Sequence, residues 1–414
     1  MRALILTIGD ELLIGQVVNT NAAYISQELG GAGVEVVRML TVGDDHGEIL
    51  RALGEGYREC DAVLITGGLG PTHDDITKKV LCSFFHTDLV SSPEVRRTIE
   101  QFLAQRGRPW SEASEEQTLV PRGCTVIPNH HGTAPGQLFE RDGKYVFAMP
   151  GVPYEMEYMI RDFILPFLRA RSAGKTIVHR TLKTTGIPES ELSARLGDIE
   201  QIVRGAKLAF LPSPGGVRLR ISVVDPDPER AVARARDIES RIRSKAEEFI
   251  YASQDEELED VIGRLLVERG LTLAVAESCT GGLIAHRLTN APGSSRYLLA
   301  SVVAYSNPSK TELLAVPEEL LRTHGAVSEE VATAMASGIR NAAGASIGLS
   351  TTGIAGPSGG TAEKPVGLIW IGYADDRRVC ARRFNLGGER MRIKERASQS
   401  ALDLVRRAIL GLPL

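Results

Sequence analysis

A hydroxyl and a thiol stand side by side in the last third of the chain, at Ser278 and Cys279. The apolar residues 271–275 before them are few and β-branched, which predicts a buried strand, and residues 283–288 predict the first turns of a helix. A strand-to-helix turn exposes its side chains at the rim of a sheet and aims backbone N–H groups and a positive helix end at the same point. This pattern suits a nucleophile beside a site that stabilises an oxyanion.

Two alternatives stay open at this turn. The backbone donors would come from Thr280, Gly281 and Gly282, but the same residues also fit a purely structural turn in which Thr280 caps the helix. Cys279 is the stronger intrinsic nucleophile, whereas a cysteine under a glycine turn is more often a small buried residue. Either neighbouring side chain could therefore make the attack.

Two loops in the first third of the chain combine glycines with carboxylates. The first is Gly-Asp-Glu-Leu-Leu-Ile-Gly, which contains Asp10 and Glu11, and the second is Thr-Gly-Gly-Leu-Gly-Pro-Thr-His-Asp-Asp, which contains Asp74 and Asp75. Glycine lets the backbone approach a phosphate closely, and carboxylates are hard oxygen ligands for Mg²⁺. Helix capping is the structural alternative for Asp74 and Asp75.

The elements that must position the two loops alternate along residues 2–170. The predicted strands are 3–6, 34–37 and 62–65, and the predicted helices are 21–29 and 46–57. Such alternation predicts a parallel sheet with helices on both faces, and ligands are expected at the carboxyl ends of its strands.

The middle of the chain, residues 175–252, has a different pattern. Strands are predicted at 181–184 and 217–223, and helices at 188–196 and 228–249. Arginines on one face of the second strand could contact RNA, but the segment has no basic Gly-x-x-Gly loop and no aromatic stacking platform. A structural or dimerisation role is therefore predicted. A second α/β unit, residues 256–414, opens with a helix at 258–268.

Composition excludes several classes of protein. The length of 414 residues predicts about two to four domains. A net charge of -4 does not favour nucleic acid as a partner. The five cysteines include no Cys-x-x-Cys pair, so neither a disulfide framework nor a structural zinc site is predicted, and the cytoplasm is the expected location. No membrane association is expected, because no apolar stretch approaches the roughly 18–20 residues that span a bilayer.

The motifs in these loops resemble those of the CinA (competence/damage-inducible) family. The two glycine-carboxylate loops and Met-Pro-Gly-Val-Pro at 149–153 are similar to its molybdopterin-binding-type domain. Glu-Ser-Cys-Thr-Gly-Gly, Tyr-Ser-Asn-Pro-Ser-Lys, Thr-Thr-Gly-Ile-Ala-Gly-Pro and Gly-Gly-Glu-Arg are similar to its nicotinamide-mononucleotide deamidase domain. The resemblance implies an α/β multidomain protein: residues 1–170 molybdopterin-binding-like (MoaB/MogA-type), 175–252 a small α+β KH-type domain, and 256–414 an α/β deamidase domain.

For the first domain, the resemblance implies a metal-dependent ADP-ribose pyrophosphatase. Mg²⁺, or Co²⁺ or Mn²⁺, would be held by Asp10, Glu11, Asp74 and Asp75. Glu155 is a further acidic candidate, with helix capping as its structural alternative. The implied substrate-binding residues are Asn19, Gly67, Gly68, Gly70 and Thr72.

For the last domain, the resemblance implies Ser278 as the nucleophile, assisted by Tyr305 and Lys310 and without a cofactor. A desolvated lysine can lose its proton near neutral pH and so act as a base. Each role has a structural alternative. Lys310 could be a solvated residue that opens a helix, and Arg390 could belong to a plain charged helix face. The implied substrate-binding residues are Thr280, Gly281, Gly282, Asn307, Thr352, Gly353, Ala355, Gly356 and Arg390. Asn307 could also simply hold the turn before a proline.

The resemblance therefore implies a bifunctional enzyme of pyridine-nucleotide recycling with small-molecule nucleotides as its ligands, and a homodimer is the expected assembly. One domain would convert nicotinamide mononucleotide to nicotinate mononucleotide and ammonia. The other would hydrolyse ADP-ribose to AMP and ribose 5-phosphate. The rival hypothesis is a nucleotide-sensing protein in which one or both domains are catalytically silent, because fold alone does not guarantee activity.

Overall fold

A computed structural model describes residues 1–72, 75–171, 176–253 and 256–414 of the chain. The predicted metal ligand Asp74 lies outside these described residues. The chain divides into two compact units, Met1–His179 with Val223–Arg234 and Arg180–Ser222 with Ala235–Leu414. Within the described ranges, no helix is both long and apolar enough to cross a membrane.

The N-terminal domain is built on a mixed sheet. Its strands are β1 (Arg2–Ile8), β2 (Glu35–Val42), β3 (Ala62–Thr66), β4 (Leu89–Ser91), β5 (Leu119–Pro121), β6 (Thr125–Ile127), β7 (Gly136–Arg141) and β8 (Lys144–Met149). The main sheet has the order β2-β1-β3-β8-β7-β6, and β4 pairs separately with β5. Neighbours among β2, β1, β3 and β8 are parallel, so their carboxyl ends share one edge.

The prediction of a wholly parallel sheet is wrong at the other edge. Strand β7 pairs antiparallel with both β8 and β6. The cause is a two-residue turn between β7 and β8, where Asp142 and Gly143 both have positive φ, 54° and 71°. An Asp-Gly pair is a strong hairpin signal, and a hairpin makes consecutive strands antiparallel.

Helices cover both faces of this sheet, as predicted. They are α1 (Asp10–Leu13), α2 (Thr20–Gly31), α3 (His46–Glu59), α4 (Thr77–Phe85), α5 (Pro93–Gln105), α6 (Glu112–Gln117), α7 (Pro153–Met159) and α8 (Leu165–Arg171), with a π-helical segment at Ile160–Ile164. Alternate residues of β1 enter two separate cores. Ile5 packs with α2 and α7, whereas Leu4 and Leu6 pack with α3 and α4.

The middle domain contains β9 (Thr176–Thr184), α9 (Glu189–Leu196), α10 (Ile199–Val203), β10 (Lys207–Ser213), β11 (Gly216–Asp225), α11 (Pro228–Ala246), a 3₁₀ turn (Glu247–Phe249) and β12 (Ile250–Ala252). Its sheet order is β10-β11-β9-β12. Along β11, Val217 and Leu219 are buried while Arg218 and Arg220 are exposed. The alternation predicted a strand with one basic face, which the structure confirms.

The C-terminal domain contains α12 (Leu258–Glu268), β13 (Leu273–Glu277), α13 (Leu283–Asn290), a 3₁₀ turn (Ser294–Arg296), β14 (Leu298–Val303), α14 (Asn307–Leu314), α15 (Glu318–His324), α16 (Glu329–Ala343), β15 (Ile347–Gly353), β16 (Leu368–Ala374), β17 (Val379–Asn385) and α17 (Arg390–Leu410). The sheet order is β14-β13-β15-β16-β17. Helices α12, α13 and α17 pack on one face, and α14 and α16 on the other.

The central strands of this sheet bring two motifs together. Strand β13 is parallel to β14 and to β15, and Glu277 at its end is in register with Thr351. Parallel strands end at the same edge, so the turn after β13 lies beside the segments that follow β14 and β15. These three segments contain every catalytic residue predicted for this domain.

Candidate active sites

The turn that carries Ser278 is fastened to the neighbouring strand. The Ser278 N–H donates to the Thr351 carbonyl at 3.0 Å, and the Thr280 and Thr351 hydroxyls are 2.7 Å apart. Gly281 and Gly282 have φ of 61° and 91°, a left-handed conformation that glycine adopts without steric cost. Helix α13 then begins with Gly282 at its cap position. The structural alternative of a Thr280 cap is therefore wrong.

Glu277 caps this helix from the preceding strand. Its buried carboxylate accepts hydrogen bonds from the N–H groups of Gly282 at 2.9 Å, Ile284 at 3.2 Å and Ala285 at 2.9 Å. The sequence analysis missed this role. The available signal was a glutamate at the end of a predicted buried strand, because a buried carboxylate requires hydrogen-bond donors.

Two of the three N–H groups predicted to bind an oxyanion are already used within the turn. The Gly282 N–H is bound to Glu277, and the Gly281 N–H donates to the Ser278 carbonyl at 3.2 Å. In the part of the chain that the structure describes, the N–H groups of Cys279 and Thr280 have no carbonyl or carboxylate acceptor. An oxyanion beside Ser278 would therefore use these two donors.

Lys310 is buried against Ser278. Its Nζ lies 3.1 Å from Ser278 Oγ, 2.9 Å from the Ala304 carbonyl oxygen and 3.5 Å from the Tyr305 carbonyl oxygen. The residue is 1% exposed, so the alternative of a solvated lysine is wrong. Burial lowers the pKa of the Lys310 ammonium, because a charged group is disfavoured away from water.

Helix α14 brings Lys310 to this position. Ser306 caps the helix by accepting a hydrogen bond at Oγ from the Ser309 N–H at 3.2 Å. Ser306, and not Asn307, therefore holds the turn before the proline. Asn307 is the first helical residue and is exposed.

Cys279, the neighbour of Ser278, packs in the apolar core of the domain. It is 6% exposed and belongs to the apolar cluster beneath the sheet. Burial raises the pKa of its thiol to about 12. Because the thiolate is the reactive form, this environment makes Cys279 a poor nucleophile.

Tyr305 and Arg390 form a polar pair at the edge of the site. Arg390 donates from Nη2 to the Tyr305 hydroxyl at 2.9 Å and from Nη1 to the Gly356 carbonyl at 2.6 Å. The Tyr305 side chain is 61% exposed. Arg390 is thus more than a member of a charged helix face, since it joins the glycine loop 353–360 to the segment after β14.

Some residues predicted to bind substrate serve the fold. The Thr352 hydroxyl donates to the Ala326 carbonyl at 2.7 Å, and Ala355 is part of the apolar core. A side chain at Gly353 would meet Ile369, and one at Gly356 would meet Val366. At these four positions the backbone, not the side chain, is what could face a ligand.

Lys394 is a basic residue near the turn that carries Ser278, and it was not among the predicted site residues. Its Nζ lies 3.4 Å from the position that a Cβ atom would take at Gly281. Lys394 follows Arg390 by one helical turn on α17, so both cations lie on the same side of that helix. The i, i+4 spacing of two basic residues was the available signal.

The N-terminal candidate site is a cleft of about 430 Å³ at the carboxyl ends of the parallel strands. Its lining brings together both glycine-carboxylate loops and the Met-Pro-Gly-Val-Pro segment. The loop glycines in the lining are Gly67, Gly68 and Gly70, and the acidic residues are Glu11, Asp44, Asp75 and Glu155. Gly67 has φ of 113°, and a Cβ there would meet the carbonyl of Ile8. Glycine is therefore required for the loop to pack against the end of β1.

The predicted metal ligands differ in their surroundings. The Asp10 carboxylate accepts from the Asp44 N–H at 3.2 Å, which ties two loops together. Asp75 accepts from the backbone N–H of Thr72 at 2.8 Å and also from its hydroxyl. The buried Glu155 accepts from Asn129 Nδ2 at 2.6 Å.

These carboxylates have the donor chemistry for a hard cation, but they are spread along the cleft. Among residues 1–72, 75–171, 176–253 and 256–414, no three His, Cys, Asp or Glu side chains are grouped to hold a metal ion. Mg²⁺ commonly takes only one or two carboxylates and completes its shell with water and substrate phosphates. Glu11 and Asp75, which both line the cleft, fit that requirement.

Asn19 has a structural role that its prediction as a substrate-binding residue did not foresee. Its side-chain oxygen caps α2 by accepting from the Ala22 N–H at 3.0 Å, and its Nδ2 donates to the Thr7 hydroxyl at 2.8 Å. Both ends of the amide are therefore engaged. Thr72 is similar, because both of its donors bind Asp75.

Lys78 is a residue near this cleft that the sequence analysis missed. It is 8% exposed in the first turn of α4, and burial lowers its pKa to about 8. Its Nζ donates to Gln117 Oε1 and to the Glu116 carbonyl, both at 3.4 Å. A lysine in the first turn of a helix that follows a glycine loop was the signal.

Comparison with known families places these sites in context. A probable molybdopterin binding domain matches residues 4–170, a damage-inducible protein CinA KH domain matches 179–252, and a CinA C-terminal domain matches 255–409. A CinA-like protein of Gemmatimonas aurantiaca is 46% identical over 411 residues, covering 98% of this chain and 95% of its relative. The chain belongs to the CinA family.

Another CinA-family protein is also similar in sequence to nearly the whole of this chain. A CinA-like protein of Salinibacter ruber is 44% identical, covering 99% of this chain and 100% of its relative. Among solved structures, the competence/damage inducible protein CihA of Agrobacterium tumefaciens is 36% identical and covers 38% of this chain and 99% of that one, with a TM-score of 0.36. The domain matches at residues 4–170, 179–252 and 255–409 confirm the predicted α/β fold with a molybdopterin-binding-like domain, a KH domain and a CinA C-terminal domain.

Proposed function

We propose that the C-terminal domain of this CinA-family protein deamidates nicotinamide mononucleotide. The observation that supports this most is the buried contact between Lys310 Nζ and Ser278 Oγ at 3.1 Å. The carbonyl oxygens of Ala304 and Tyr305 accept the other N–H bonds of the lysine. A neutral Lys310 would therefore direct its lone pair at the serine hydroxyl, as a general base must.

The proposed reaction has two halves. Lys310 takes the proton of Ser278 as Oγ bonds to the carboxamide carbon, and the N–H groups of Cys279 and Thr280 stabilise the oxyanion. The carbon–nitrogen bond then breaks, and the nitrogen receives the proton from Lys310 and leaves as ammonia. Water next gives a proton to Lys310 and attacks the acyl carbon, which releases the carboxylic acid and returns the proton to Ser278.

The substrate phosphate is proposed to bind at the basic edge of the site. Arg390 keeps N–H groups beyond the two that bind Tyr305 and Gly356, and Lys394 lies against the glycine turn. A guanidinium and an ammonium together complement a phosphate dianion. Tyr305, paired with Arg390, would then orient the nucleotide instead of transferring the proton.

The nucleophile is tested by a pair of matched substitutions. Ser278→Ala removes the attacking oxygen and is expected to lower ammonia release from nicotinamide mononucleotide by at least about a thousandfold. Cys279→Ala removes a buried thiol and is expected to retain most activity. Ammonia release that survives in Ser278→Ala and disappears in Cys279→Ala would contradict the assignment.

We propose that the N-terminal domain hydrolyses ADP-ribose to AMP and ribose 5-phosphate in the glycine-loop cleft. The observation that supports it is the lining of one cleft by Gly67, Gly68 and Gly70 together with Glu11 and Asp75. The glycine loop would cradle the diphosphate with its backbone, and the carboxylates would hold a divalent cation. When bound, that cation supplies charge neutralisation and an activated water.

The metal requirement is tested directly with the purified protein. AMP release from ADP-ribose is expected in Mg²⁺ and is expected to stop in EDTA, because carboxylates alone cannot neutralise a diphosphate. Ammonia release from nicotinamide mononucleotide is expected to continue in EDTA, which makes it the internal control. AMP release that persists in EDTA would remove the metal role, and nucleotide binding without turnover would favour the rival hypothesis of a sensor.

A further inference from the structure

One buried amide beside the N-terminal cleft lacks a hydrogen-bond partner. Gln117, the last residue of α6, lines the cleft and is 1% exposed. Its Oε1 accepts a hydrogen bond from Lys78 Nζ at 3.4 Å. Its Nε2 has no partner among the residues that the structure describes.

The contact with Lys78 decides which end of the amide is unpaired. An ammonium can only donate, so it must face the carbonyl end of the glutamine. Rotating the amide would place two donors against each other and would not relieve the unpaired nitrogen. The Nε2 donor is therefore held in place by Lys78.

A buried donor without an acceptor costs free energy, and native proteins rarely keep one unless a ligand or water completes it. The nearby surface of the cleft is built for phosphate, because the backbone of Gly67, Gly68 and Gly70 forms it. The Lys78 ammonium beside the amide adds a positive charge, which Asp75 and Glu116 partly offset, and a positive charge favours an anionic oxygen as the missing acceptor. The carboxylates Glu11 and Asp75 also line the cleft, where a cation would neutralise them.

We propose that Gln117 Nε2 donates a hydrogen bond to a phosphate oxygen of a nucleoside diphosphate bound in the cleft, and that Lys78 is the residue that positions this amide. The inference rests on the proposed function of the cleft and adds to it a specificity-determining donor. It also explains why a lysine is buried beside a glutamine at this place, a contact that involves no other predicted site residue.

The matched control is a second buried amide. Gln137, on β7, is 0% exposed and has no hydrogen-bond partner for either Nε2 or Oε1, but it does not line the cleft. Gln117→Leu and Gln137→Leu each replace a fully buried glutamine side chain with an apolar one, so the two substitutions are matched. The dissociation constant of ADP-ribose, measured by calorimetry in EDTA and again in Mg²⁺, separates a ligand donor from a structural residue.

Gln117→Leu is expected to weaken ADP-ribose binding by about tenfold to a hundredfold, the effect of losing one hydrogen bond to a charged group. Gln137→Leu is expected to leave binding within about twofold of the unmodified protein. Equal binding by Gln117→Leu and the unmodified protein would overturn the proposal, because the amide would then be served by water alone. A thermal unfolding profile equal to that of the unmodified protein checks that each variant is folded, because Gln117 and Gln137 both lie in the unit that contains Met1–His179.

Three further variants test the role of Lys78 and cover the case in which Gln117→Leu does not fold. Gln117→Glu keeps the shape and the contact with Lys78 but replaces the donor with an acceptor, so KM for ADP-ribose should rise more than kcat falls. Lys78→Met should raise KM in the same way, and Lys78→Arg should restore part of the loss. An unchanged KM in both Gln117→Glu and Lys78→Met would overturn the proposal.

These measurements distinguish failure of the inference from failure of the proposed function. Binding that depends on Gln117 without any AMP release would refute hydrolysis and support the donor role. AMP release that is indifferent to Gln117 would support hydrolysis and refute the donor role. No ADP-ribose binding by the unmodified protein would refute both.

Discussion

In the proposed mechanism, the serine and the lysine of the C-terminal site depend on each other for reactivity. A serine hydroxyl is a weak nucleophile until a base takes its proton, and a lysine is a base only after it loses its own. The structure buries Lys310 and places its Nζ 3.1 Å from Ser278 Oγ and beside two carbonyl oxygens. In the proposed mechanism, burial would create the base without any histidine.

The pH dependence of ammonia release should follow Lys310. Burial lowers the pKa of its ammonium, so the neutral, active form becomes populated at a lower pH than for an exposed lysine. The rate is therefore expected to rise with pH through that lowered pKa and then to level off. The profile of kcat/KM against pH measures it.

Lys310→Met is the control for this profile. It removes the base, so it should lower ammonia release by at least about a hundredfold where the unmodified protein has levelled off, and it should abolish the rise with pH. A rate that falls as pH rises through this range would mean that the charged ammonium is the working form, which would contradict the proposed mechanism.

At the residue scale, the type of a residue indicated which reaction it could support better than it indicated which groups its side chain contacts. The sequence left both Ser278 and Cys279 as candidate nucleophiles. The contact of Lys310 with Ser278 Oγ and the raised pKa of the Cys279 thiol distinguish them. Asn19 and Thr72 have side chains that suit a ligand, yet both are engaged within the protein. Whether a polar group is free depends on distant residues, which local spacing does not reveal.

At the scale of the elements, the turn between β13 and α13 depends on a cap supplied by the strand. Glu277 satisfies three N–H groups at the start of a helix whose first residues follow two left-handed glycines. The same cap reduces the donors open to an oxyanion to those of Cys279 and Thr280. One carboxylate therefore stabilises the helix and shapes the site.

Removing this cap should destabilise the C-terminal domain. Glu277→Ala leaves three N–H groups without their acceptor and is expected to lower the free energy of unfolding by about 2–4 kcal/mol. Urea denaturation measures the loss, and ammonia release should fall as well because the turn loosens. Glu277→Gln, which retains one acceptor oxygen, should lose less.

The control for this prediction is Glu389, an exposed residue at the cap position of α17 with no side-chain capping bond. Glu389→Ala should change stability by no more than about 0.5 kcal/mol. Equal effects of the two alanine substitutions would mean that the three hydrogen bonds of Glu277 contribute little.

The elements themselves were largely predictable from the sequence. Alternation and apolar spacing located β1, β3, α3 and α12 to within a few residues, because burial imposes those periods locally. The β7–β8 hairpin was missed although its Asp-Gly turn is a recognised signal. Helix α11 ends at Ala246, and the 3₁₀ turn Glu247–Phe249 occupies the rest of the predicted helix.

At the scale of the whole molecule, the two candidate sites lie in different compact units. The glycine-loop cleft belongs to the unit that contains Met1–His179, and Ser278 with Lys310 belongs to the unit that contains Ala235–Leu414. Substitutions at sites that share no partners usually have independent effects.

The two activities should therefore be separable by mutation. Ser278→Ala is expected to lose ammonia release and to keep AMP release within about twofold, and Glu11→Gln is expected to do the reverse. Both products can be measured on the same protein samples. Loss of both activities in either variant would indicate coupling between the units.

Buried polar contacts join the middle and C-terminal domains within the second unit. Arg406, 1% exposed, donates from Nη2 to the Glu248 carbonyl at 2.7 Å and from Nε to Asp403 at 2.8 Å. Gln399 donates to the Thr185 hydroxyl at 3.2 Å. These contacts explain why residues 180–222 and 235–414 form one compact unit, which no sequence pattern predicted.

By itself the sequence determined the order of domains, the family, and the loops in which chemistry is concentrated. These properties depend on residue type and spacing, which act over a few positions along the chain. Tertiary structure alone decided that Ser278 Oγ contacts Lys310 and that Cys279 joins the apolar core. It also decided that Glu277 accepts from the helix N–H groups and that, among the described residues, Gln117 Nε2 has no acceptor. Burial and hydrogen-bond pairing are set by groups far apart in sequence, so they arise only once the strands have brought those groups together.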